Sequence, residues 1–272
     1  MKYLLILLSI LALPASAIDV MTVNTEFFWD DKAPHEGQIM NASKAPSKNA
    51  YIRKKEYFSN LIRESGVSIV GLTEIEGCHI ASDLAEILNW NFACKKGRDI
   101  YTGQDVAVLT KFKVLSNTID NHAKSYAPMK LYNGGSKEVR PSKALTVILL
   151  DDQDSIMVTV AHLISRRGSN DDKRHAQANA IFNTLLKTRE RHKPKYEFLM
   201  GDFNDVASSE TLRIMQSDVL INKAGSEDWS YQYKGHILID HILVSKNLQE
   251  GDIETLPTSM AFTDHQAVIF RH

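Results

Sequence analysis

The sequence predicts a single α/β domain over residues 18–272. Short apolar runs typical of strands, several of them β-branched, alternate along the chain with segments whose apolar residues recur at the helical period. No repeat, low-complexity tract or linker rich in Pro and Gly divides these residues. Hydrophobic residues make up 43% of the chain, which is enough for a substantial core. These observations favour one domain over a pair of smaller ones.

The N-terminal segment has the three parts of a secretory leader. Lys2 precedes an apolar run over residues 3–13, and Pro14 is followed by the small residues 15–17. The run is shorter than the roughly 20 residues that a membrane-spanning helix needs. The pattern predicts that residues 1–17 are a signal peptide and that residues 18–272 are secreted or periplasmic, with no stable membrane association after cleavage.

Strands are predicted where short apolar runs are bounded by polar or turn residues. They cover residues 18–23, 67–73, 105–110, 144–150, 156–161, 196–200, 237–244 and 267–270.

Helices are predicted where apolar residues form a stripe at the helical period, within residues 51–62, 80–88 and 178–186. Two polar segments, residues 29–49 and 117–141, are punctuated by Gly, Pro, Asn and Ser. These segments are predicted to be long loops, and loops of that length are usually functional or mobile.

The charge balance excludes a strong overall attraction for polyanions. Lys and Arg number 32 against 33 Asp and Glu, so the chain has no net positive field. Any nucleic-acid site must therefore be local or assisted by a metal ion.

The chain has two cysteines, Cys78 and Cys94. An oxidising compartment would permit a disulfide between them, and two buried free thiols are the equal alternative, because spacing does not reveal pairing. Neither cysteine has a His or Cys neighbour at zinc-finger spacing, so no zinc site is assigned.

Polar side chains that can carry chemistry stand at the ends of predicted strands, where they are able to converge on one rim of the sheets. They are Asn24, Glu74, His162, Asp202, Asn204, Asp264 and His265. Asp240 lies inside the strand predicted for residues 237–244.

The segment Gly201-Asp202-Phe203-Asn204 follows a predicted strand. Glycine lets another group approach the backbone, and the two polar side chains share one face of an extended chain. A carboxylate is able to hold a hard cation or deprotonate water, and an amide to bind water or a phosphate oxygen. An ordinary Asx turn is the alternative interpretation of the segment alone.

Glu74 places a charge at the end of an almost wholly apolar strand, where a buried carboxylate needs a partner. Magnesium or manganese suits it, because these ions prefer oxygen ligands. Near the other end of the chain, Asp240 is able to orient His265 by accepting a hydrogen bond from one ring nitrogen. Considered alone, Glu74 is equally a solvated strand end, and His265 and His162 are more often structural.

Seven motifs occur together in one order. They are Val23-Asn24-Thr25-Glu26, Leu72-Thr73-Glu74-Ile75-Glu76, Asp105-Val106-Ala107-Val108-Leu109, Val160-Ala161-His162-Leu163, Gly201-Asp202-Phe203-Asn204, Ile239-Asp240-His241-Ile242 and Thr263-Asp264-His265. This succession resembles the endonuclease/exonuclease/phosphatase superfamily, in its deoxyribonuclease I-like and exonuclease III-like members, and covers essentially the whole mature chain.

The resemblance implies a four-layer α/β/β/α sandwich, in which two mixed β-sheets pack face to face with helices outside. It also implies Mg²⁺- or Mn²⁺-dependent attack of water on a phosphoester. By position, Asn24, Glu74 and Asp264 would sit at the metal. Asp202 would position or deprotonate the water, and Asn204 would hold the water or a phosphate oxygen.

For the remaining residues, the resemblance implies that Asp240 pairs with His265. His265 would stabilise the transition state or act as an acid/base, and His162 would bind phosphate or protonate the leaving group. The division of roles between the two histidines stays open.

The leading hypothesis is that the protein is a secreted or periplasmic nuclease, expected to be monomeric, whose substrate is nucleic acid. Basic side chains beside predicted strand ends are expected to bind flanking phosphates. They are Arg140, Arg166, Arg167 and Arg174. A solvated surface is the equal alternative for such clusters.

Lipid or small-molecule phosphodiesterase activity, of the sphingomyelinase or inositol-phosphatase kind, is the second hypothesis. Phe27, Phe28 and Trp29 would stack on a base or touch lipid, although adjacent aromatics after a strand more often pack in the core. An inactive binding module ranks last, because none of the residues that the resemblance assigns to the metal or the water is missing.

Overall fold

The computed structural model describes residues 18–32, 45–152, 154–217, 219–225, 228–232 and 235–272. The signal peptide predicted for residues 1–17 lies outside the described residues, as does most of the loop predicted for 29–49. Among the described residues, no helix has both the length and the apolarity to cross a membrane.

The described chain forms sixteen strands and four α-helices. The strands are β1 (Val20–Phe28), β2 (Ile69–Ile75), β3 (Asn91–Cys94), β4 (Asp105–Thr110), β5 (Lys113–Val114), β6 (Ala127–Lys130), β7 (Ser136–Val139), β8 (Ala144–Asp151), β9 (Asp154–His162), β10 (Tyr196–Asp202), β11 (Leu220–Asn222), β12 (Tyr231–Gln232), β13 (His236–Ile237), β14 (Asp240–Ser245), β15 (Asp252–Leu256) and β16 (Ala267–Arg271). The α-helices are α1 (Lys48–Ser65), α2 (Cys78–Leu88), α3 (Asp171–His192) and α4 (Glu210–Met215).

Two mixed sheets of six strands hold the molecule together. The first has the order β15-β16-β1-β2-β4-β3 and the second the order β11-β14-β10-β9-β8-β5. In each sheet one central pair is parallel, β1 with β2 and β9 with β10, and the other pairs are antiparallel. The carboxyl ends of the two parallel pairs are therefore available to form one polar edge.

Alternation of side chains along the strands produces three apolar layers. In β1, Val20 packs between the two sheets, and its neighbour Met21 packs on the other side of the first sheet with residues of α1 and α2. A third cluster joins the second sheet to α3 and α4. The four-layer α/β/β/α sandwich with two mixed sheets is thus confirmed, whereas a single domain over residues 18–272 stays a prediction.

Gly71 in β2 lets the sheets approach each other. A Cβ atom at this position would lie 2.9 Å from Val160 Cγ2 and 3.1 Å from Met200 Cε, both side chains of the opposite sheet. A larger residue would push β2 away from β9 and β10, and all three strands end at the polar edge.

The predicted strands correspond to observed ones with shifted ends, except that residues 237–244 divide. The hydroxyl of Ser230 accepts hydrogen bonds from the amides of Ile239 and Asp240, at 3.1 and 3.0 Å. Ser230 thus binds the chain at the point where β14 begins, at Asp240. β13, which precedes this point, pairs with β12 in a separate ribbon.

The prediction of a long loop over residues 117–141 was wrong for part of the segment, because β6 and β7 form a hairpin that packs on α3. Only Ala127 and Val139 of this hairpin are buried. A hairpin with so few inward apolar residues lacks the alternation by which strands are recognised.

Cys78 and Cys94 form a disulfide with a Cα–Cα distance of 5.4 Å, which resolves the alternative left open by their spacing. The bond joins the first residue of α2 to the last residue of β3 and closes a loop with a sequence separation of 16.

Replacing both cysteines by Ala is expected to lower the free energy of unfolding by about 3 kcal/mol, because a loop of this length loses much of its unfolded-state entropy when closed. Urea unfolding of the oxidised wild type and the double variant measures the difference. Reductant should weaken the wild type and leave the variant unchanged. Equal stability of all samples would contradict the expectation.

Candidate active site

The residues that the sequence places at strand ends lie together at the polar edge of the two sheets. Asn24 and Glu74 come from the parallel pair β1 and β2, while His162 and Asp202 are the last residues of the parallel pair β9 and β10. Carboxyl ends of parallel strands point to the same edge, and the two sheets face each other there. The site therefore lies across the seam between the sheets.

The antiparallel neighbours enter from the opposite direction. β14 begins at Asp240, which pairs with Asp202, and β16 begins two residues after His265. The N-terminal ends of β14 and β16 thus lie beside the C-terminal ends of the parallel strands. The hydroxyl of Thr263 donates to the carbonyl of Asn24 at 2.7 Å and fixes the segment before β16 against β1.

Glu74 occupies a bulge in β2, where the register with both neighbouring strands shifts. Its φ is 62°, a left-handed conformation that is uncommon for a residue with a side chain. A bulge redirects the side chain at the point where pairing is interrupted. The carboxylate is thereby turned into the seam, where it accepts a hydrogen bond from the Phe27 amide at 3.1 Å.

Asn24 joins the two carboxylates across the seam. Its Nδ2 donates to Glu74 Oε1 at 3.2 Å and to Asp202 Oδ2 at 3.0 Å, and its Oδ1 accepts from the Glu26 amide at 2.9 Å. This amide is buried and fully engaged with the site. The Asn24 side chain therefore holds the two acids close together. Direct metal ligation by Asn24 stays a prediction.

Asp202 lies in an unfavourable environment for a negative charge. Burial, together with the nearby charges of Asp240 and Glu74, raises the pKa of this carboxyl to about 7. The charge of His265 and the Asn204 amide, which donates to Asp202 Oδ1 at 2.8 Å, offset only part of this effect. A cation between the acids would stabilise the charged form.

His265 and Asp240 form a buried pair, with 2.6 Å between Nδ1 of the ring and Oδ2 of the carboxylate. Burial alone would lower the pKa of His265, but the adjacent carboxylates of Asp240, Asp202 and Asp264 outweigh it and raise the pKa to about 10. The ring is therefore a cation at neutral pH. The pairing of Asp240 with His265 has the predicted geometry.

His162 faces the same acids from the second sheet. Its Nε2 lies 3.5 Å from Asp202 Oδ2 and 3.8 Å from Glu74 Oε1, and all three ligand atoms fit within 4.8 Å of one another. Burial, reinforced by Lys143 and His265, holds the pKa of this imidazole well below its usual range. A neutral ring is able to accept a proton, to donate one hydrogen bond or to ligate a metal.

Asn204 directly follows the apolar Phe203 after β10 and adopts a left-handed φ of 51°. Its Nδ2 donates to the Leu163 carbonyl at 3.0 Å. The amide is thereby fixed beside Asp202, in the position expected for a group that holds water or phosphate.

Glu26 is a site residue that the sequence interpretation did not assign. Its carboxylate accepts a hydrogen bond from the Asp264 backbone, and burial plus the charge of Asp264 raises its pKa. Lys54 lies opposite and donates to the Glu26 carbonyl at 2.7 Å. Burial lowers the pKa of Lys54 to about 8, although Glu26, Glu74 and Asp264 oppose that shift. The available signal was the spacing, because Glu26 follows Asn24 by two, as Asn204 follows Asp202.

The donor set fits a hard divalent cation. Glu26, Glu74, Asp202 and Asp264 concentrate negative charge at one edge. Burial, together with the neighbouring acids, raises the pKa values of Glu26 and Asp202, so a bound cation would stabilise their charged forms. Carboxylate oxygens are the ligands that magnesium and manganese prefer. Glu74 and Asp202, with His162, are close enough to bind one ion together.

Arg174 is not positioned to bind substrate, and that prediction was wrong. The side chain is buried in α3, where Nε donates to Asp205 at 3.0 Å and the guanidinium also contacts Asp171 and the Ile164 carbonyl. Pairing with the buried Asp205 removes Arg174 from the surface on which its charged neighbours lie. Arg174 instead ties the segment after β9 to the turn that follows Asn204.

The other predicted substrate-binding arginines lie on the surface. Arg166 and Arg167 are exposed in the segment that leaves the site after His162. Arg140 follows β7, with its guanidinium 3.8 Å from Glu138 and over the ring of Tyr126. Their binding of phosphates stays a prediction.

This arrangement defines an α/β sandwich protein with an acidic site at the common edge of its sheets. A model of the Endonuclease/Exonuclease/phosphatase family matches residues 21–265, and the chain therefore belongs to this family, whose fold is that of metal-dependent phosphoester hydrolases. No curated protein matches the sequence.

Solved structures share the fold at low sequence identity. A Staphylococcus aureus beta toxin variant with bound magnesium ions is 12% identical, with a TM-score of 0.61 over 94% of this chain and 99% of that chain. Truncated TDP2 of Caenorhabditis elegans is 15% identical, with a TM-score of 0.60 over 94% and 97%. The human Nocturnin catalytic domain with bound sulfate is 15% identical, with a TM-score of 0.59 over 94% and 93%.

Substituting Arg174 by Met is expected to lower the free energy of unfolding by about 3–5 kcal/mol, because the buried Asp205 carboxylate loses its cation. Arg213→Met is the matched control. Arg213 is exposed and pairs with Glu210, so its loss should cost about 0–1 kcal/mol. Urea unfolding measures both variants, and equal losses would contradict a structural role specific to Arg174.

Proposed function

We propose that the chain is an exported, Mg²⁺- or Mn²⁺-dependent phosphodiesterase that hydrolyses nucleic acid. The observation that carries the proposal is that the Asn24 amide donates to both Glu74 and Asp202, with the charged His265 beside Asp202. This arrangement joins a cation-binding group of acids to a fixed positive charge. A phosphate between them would be held and polarised from two directions.

Glu74 is the primary candidate to hold the cation, with Asp264 and Glu26 contributing from the neighbouring segment. When bound, the cation would polarise the phosphoryl oxygens and neutralise charge that develops during the attack. The carboxylates of this chain fix its place by their attachment to different strands. The backbone amide of Phe27, which donates to Glu74, holds that carboxylate in one orientation.

Asp202 and Asn204 are assigned to the attacking water. The Asp202 carboxylate accepts the water's proton, and the Asn204 side chain orients the water or a phosphate oxygen. Asn204 is fixed for this task by its bonds to Asp202 and to Leu163. A water in this position approaches the phosphorus from the side of the second sheet.

His265 stabilises the additional negative charge of the transition state. Asp240 holds its Nδ1, so that Nε2 is the ring atom directed towards the reacting group. His162, whose Nε2 lies 3.5 Å from Asp202, is assigned to phosphate binding as a neutral ring. To protonate the leaving oxygen, the alternative role, it would first have to take up a proton.

Nucleic acid is favoured as substrate because Arg166 and Arg167 are exposed on the segment that leaves the site. They would contact phosphates beside the scissile one. The disulfide between Cys78 and Cys94 supports export, since such bonds persist in oxidising compartments. Cell fractionation with N-terminal sequencing tests export, and a cytoplasmic protein that retains residues 1–17 would contradict it.

Chelation is expected to abolish hydrolysis, and added Mg²⁺ or Mn²⁺ to restore it. Purified chain 18–272 is assayed on plasmid DNA, RNA, sphingomyelin and an aryl phosphodiester, with and without chelator. Cleavage of DNA or RNA supports the proposal. Hydrolysis of sphingomyelin alone would replace nucleic acid by a lipid substrate, and no metal-dependent hydrolysis would refute the mechanism.

Asp202→Asn is expected to reduce kcat by about 10²–10⁴-fold, because the amide cannot accept the water's proton. The change is nearly isosteric, so thermal unfolding should show a folded protein. Asp252→Asn is the matched control, since Asp252 is exposed in β15. Activity of Asp202→Asn near that of the control would show that another group handles the water.

Asp240→Asn is expected to lower kcat/KM by roughly 10²-fold or more, because the positive charge of His265 depends on the carboxylate. The loss should be larger at pH 8 than at pH 6, since burial without this partner brings the pKa of His265 down from about 10. Parallel pH profiles for wild type and variant check this. An unchanged profile shape would contradict the assigned role of the pair.

A further inference from the structure

An aromatic cleft lies beside the acidic site, and the active-site assignments do not use it. It has a volume of about 540 Å³ and is bounded by the end of β1, the first turns of α1 and the segment before β16. Its lining includes Phe27, Trp29, Arg53, Lys54 and Phe262.

Phe27 is presented to this cleft by an unfavourable backbone. Both Glu26 and Phe27 have left-handed φ values, 45° and 51°, which bulky side chains rarely adopt. Burial does not compensate Phe27, because its side chain is 46% exposed. Strain without burial is typical of functional positions. The conformation holds an aromatic ring at the rim while the Phe27 amide binds Glu74.

The other rings form a firm wall. Trp29 lies with its ring centroid 5.7 Å from that of Phe27, and Phe262 stacks on Tyr57 at a centroid distance of 4.4 Å. The next aromatic, Phe28, points into the core and is fully buried. The cleft therefore offers flat apolar surfaces that are suitable for stacking a planar ring.

The exposed cation Arg53 decides which aromatic ligand suits the cleft. Arg53 lies on α1, whereas Lys54 donates to the Glu26 carbonyl at 2.7 Å and its charge is opposed by Glu26, Glu74 and Asp264. A quaternary ammonium headgroup, which also binds aromatic rings, is repelled by Arg53. A phosphate carried by an aromatic group is attracted by it. The charge of Arg53 therefore favours a nucleotide over a choline lipid.

We infer that this cleft binds the base of the nucleotide next to the scissile phosphate, a specificity that rests on the proposed phosphodiesterase function. The base stacks against Phe27, and Arg53 binds a flanking phosphate. Because the Phe27 amide lies 3.1 Å from the Glu74 carboxylate, base and scissile phosphate are adjacent parts of one substrate.

Two substrates with the same leaving group test the inference. Thymidine 5′-(p-nitrophenyl phosphate) carries a base, and methyl p-nitrophenyl phosphate carries none. The wild type is expected to prefer the thymidine compound in kcat/KM. Phe27→Leu should reduce that preference about tenfold, in line with the loss of one stacked base. Phe92→Leu, at an exposed ring in edge strand β3, is the matched control and should keep the preference.

The outcomes separate this inference from the proposed function. If neither compound is hydrolysed with Mg²⁺ or Mn²⁺, and the nucleic acids are not cleaved either, the proposed function itself fails. If the wild type hydrolyses both compounds without preference, or Phe27→Leu slows both equally, the cleft does not bind the base. Circular dichroism confirms that each variant is folded.

Arg53→Gln provides a second test if Phe27→Leu does not fold. This exposed position tolerates the change, and the added substrate is thymidine 5′-(p-nitrophenyl phosphate) with a 3′-phosphate. The wild type should gain in kcat/KM from the 3′-phosphate, and the variant should lose most of that gain. An equal gain in both proteins would overturn the assignment of Arg53.

Discussion

The hydrogen bonds of the Asn24 amide to Glu74 and Asp202 are the interaction on which the site depends. The two acids belong to different sheets, and their negative charges repel each other across the seam. A single buried amide that donates to both makes their approach possible without neutralising either. The close packing of the sheets at Gly71, three residues before Glu74, is compatible with this short distance across the seam.

Left-handed backbone conformations are concentrated where the strands deliver these side chains. Glu26, Phe27, Glu74 and Asn204 all have positive φ values, and all lie at or just beyond the ends of β1, β2 or β10. An ideal strand would send alternate side chains to opposite faces of its sheet, whereas the site needs them at the edge. The irregular conformations redirect the chain, and the packed sheets supply the stability that compensates the strain.

The parts of the molecule predicted from the sequence are those governed by local pattern. Runs such as residues 105–110 are buried on both faces, so their apolar composition identified a strand without further information. Convergence of Glu74 and Asp202 followed from their places at strand ends. The hairpin of β6 and β7 escaped prediction because its stability comes from contact with α3, which no local pattern records.

Arg174 and Glu26 show that the role of a charged residue depends on its contacts in the folded chain, which the sequence does not reveal. Arg174 stands in a basic stretch that resembles a solvated surface, yet Asp205, distant by 31 residues, draws it into the interior. Glu26 is one acid among many in the sequence, and only the folded chain brings Asp264 against it. The pairing of Cys78 with Cys94 was open for the same reason, since it depends on how α2 packs against β3.

The proposed functions of the two sheets are complementary. The first sheet and α1 provide the acids Glu26 and Glu74 and the aromatic cleft, while the second provides Asp202, His162 and the segment with Arg166. A substrate bound as proposed by both would therefore cross the seam, with its base and the phosphate at Arg53 on the first-sheet side and the phosphates at Arg166 towards the second. Because the carboxylates meet only at that seam, the phosphate that crosses it is the one exposed to the attacking water. The position of cleavage is in this way a consequence of how the sheets pack.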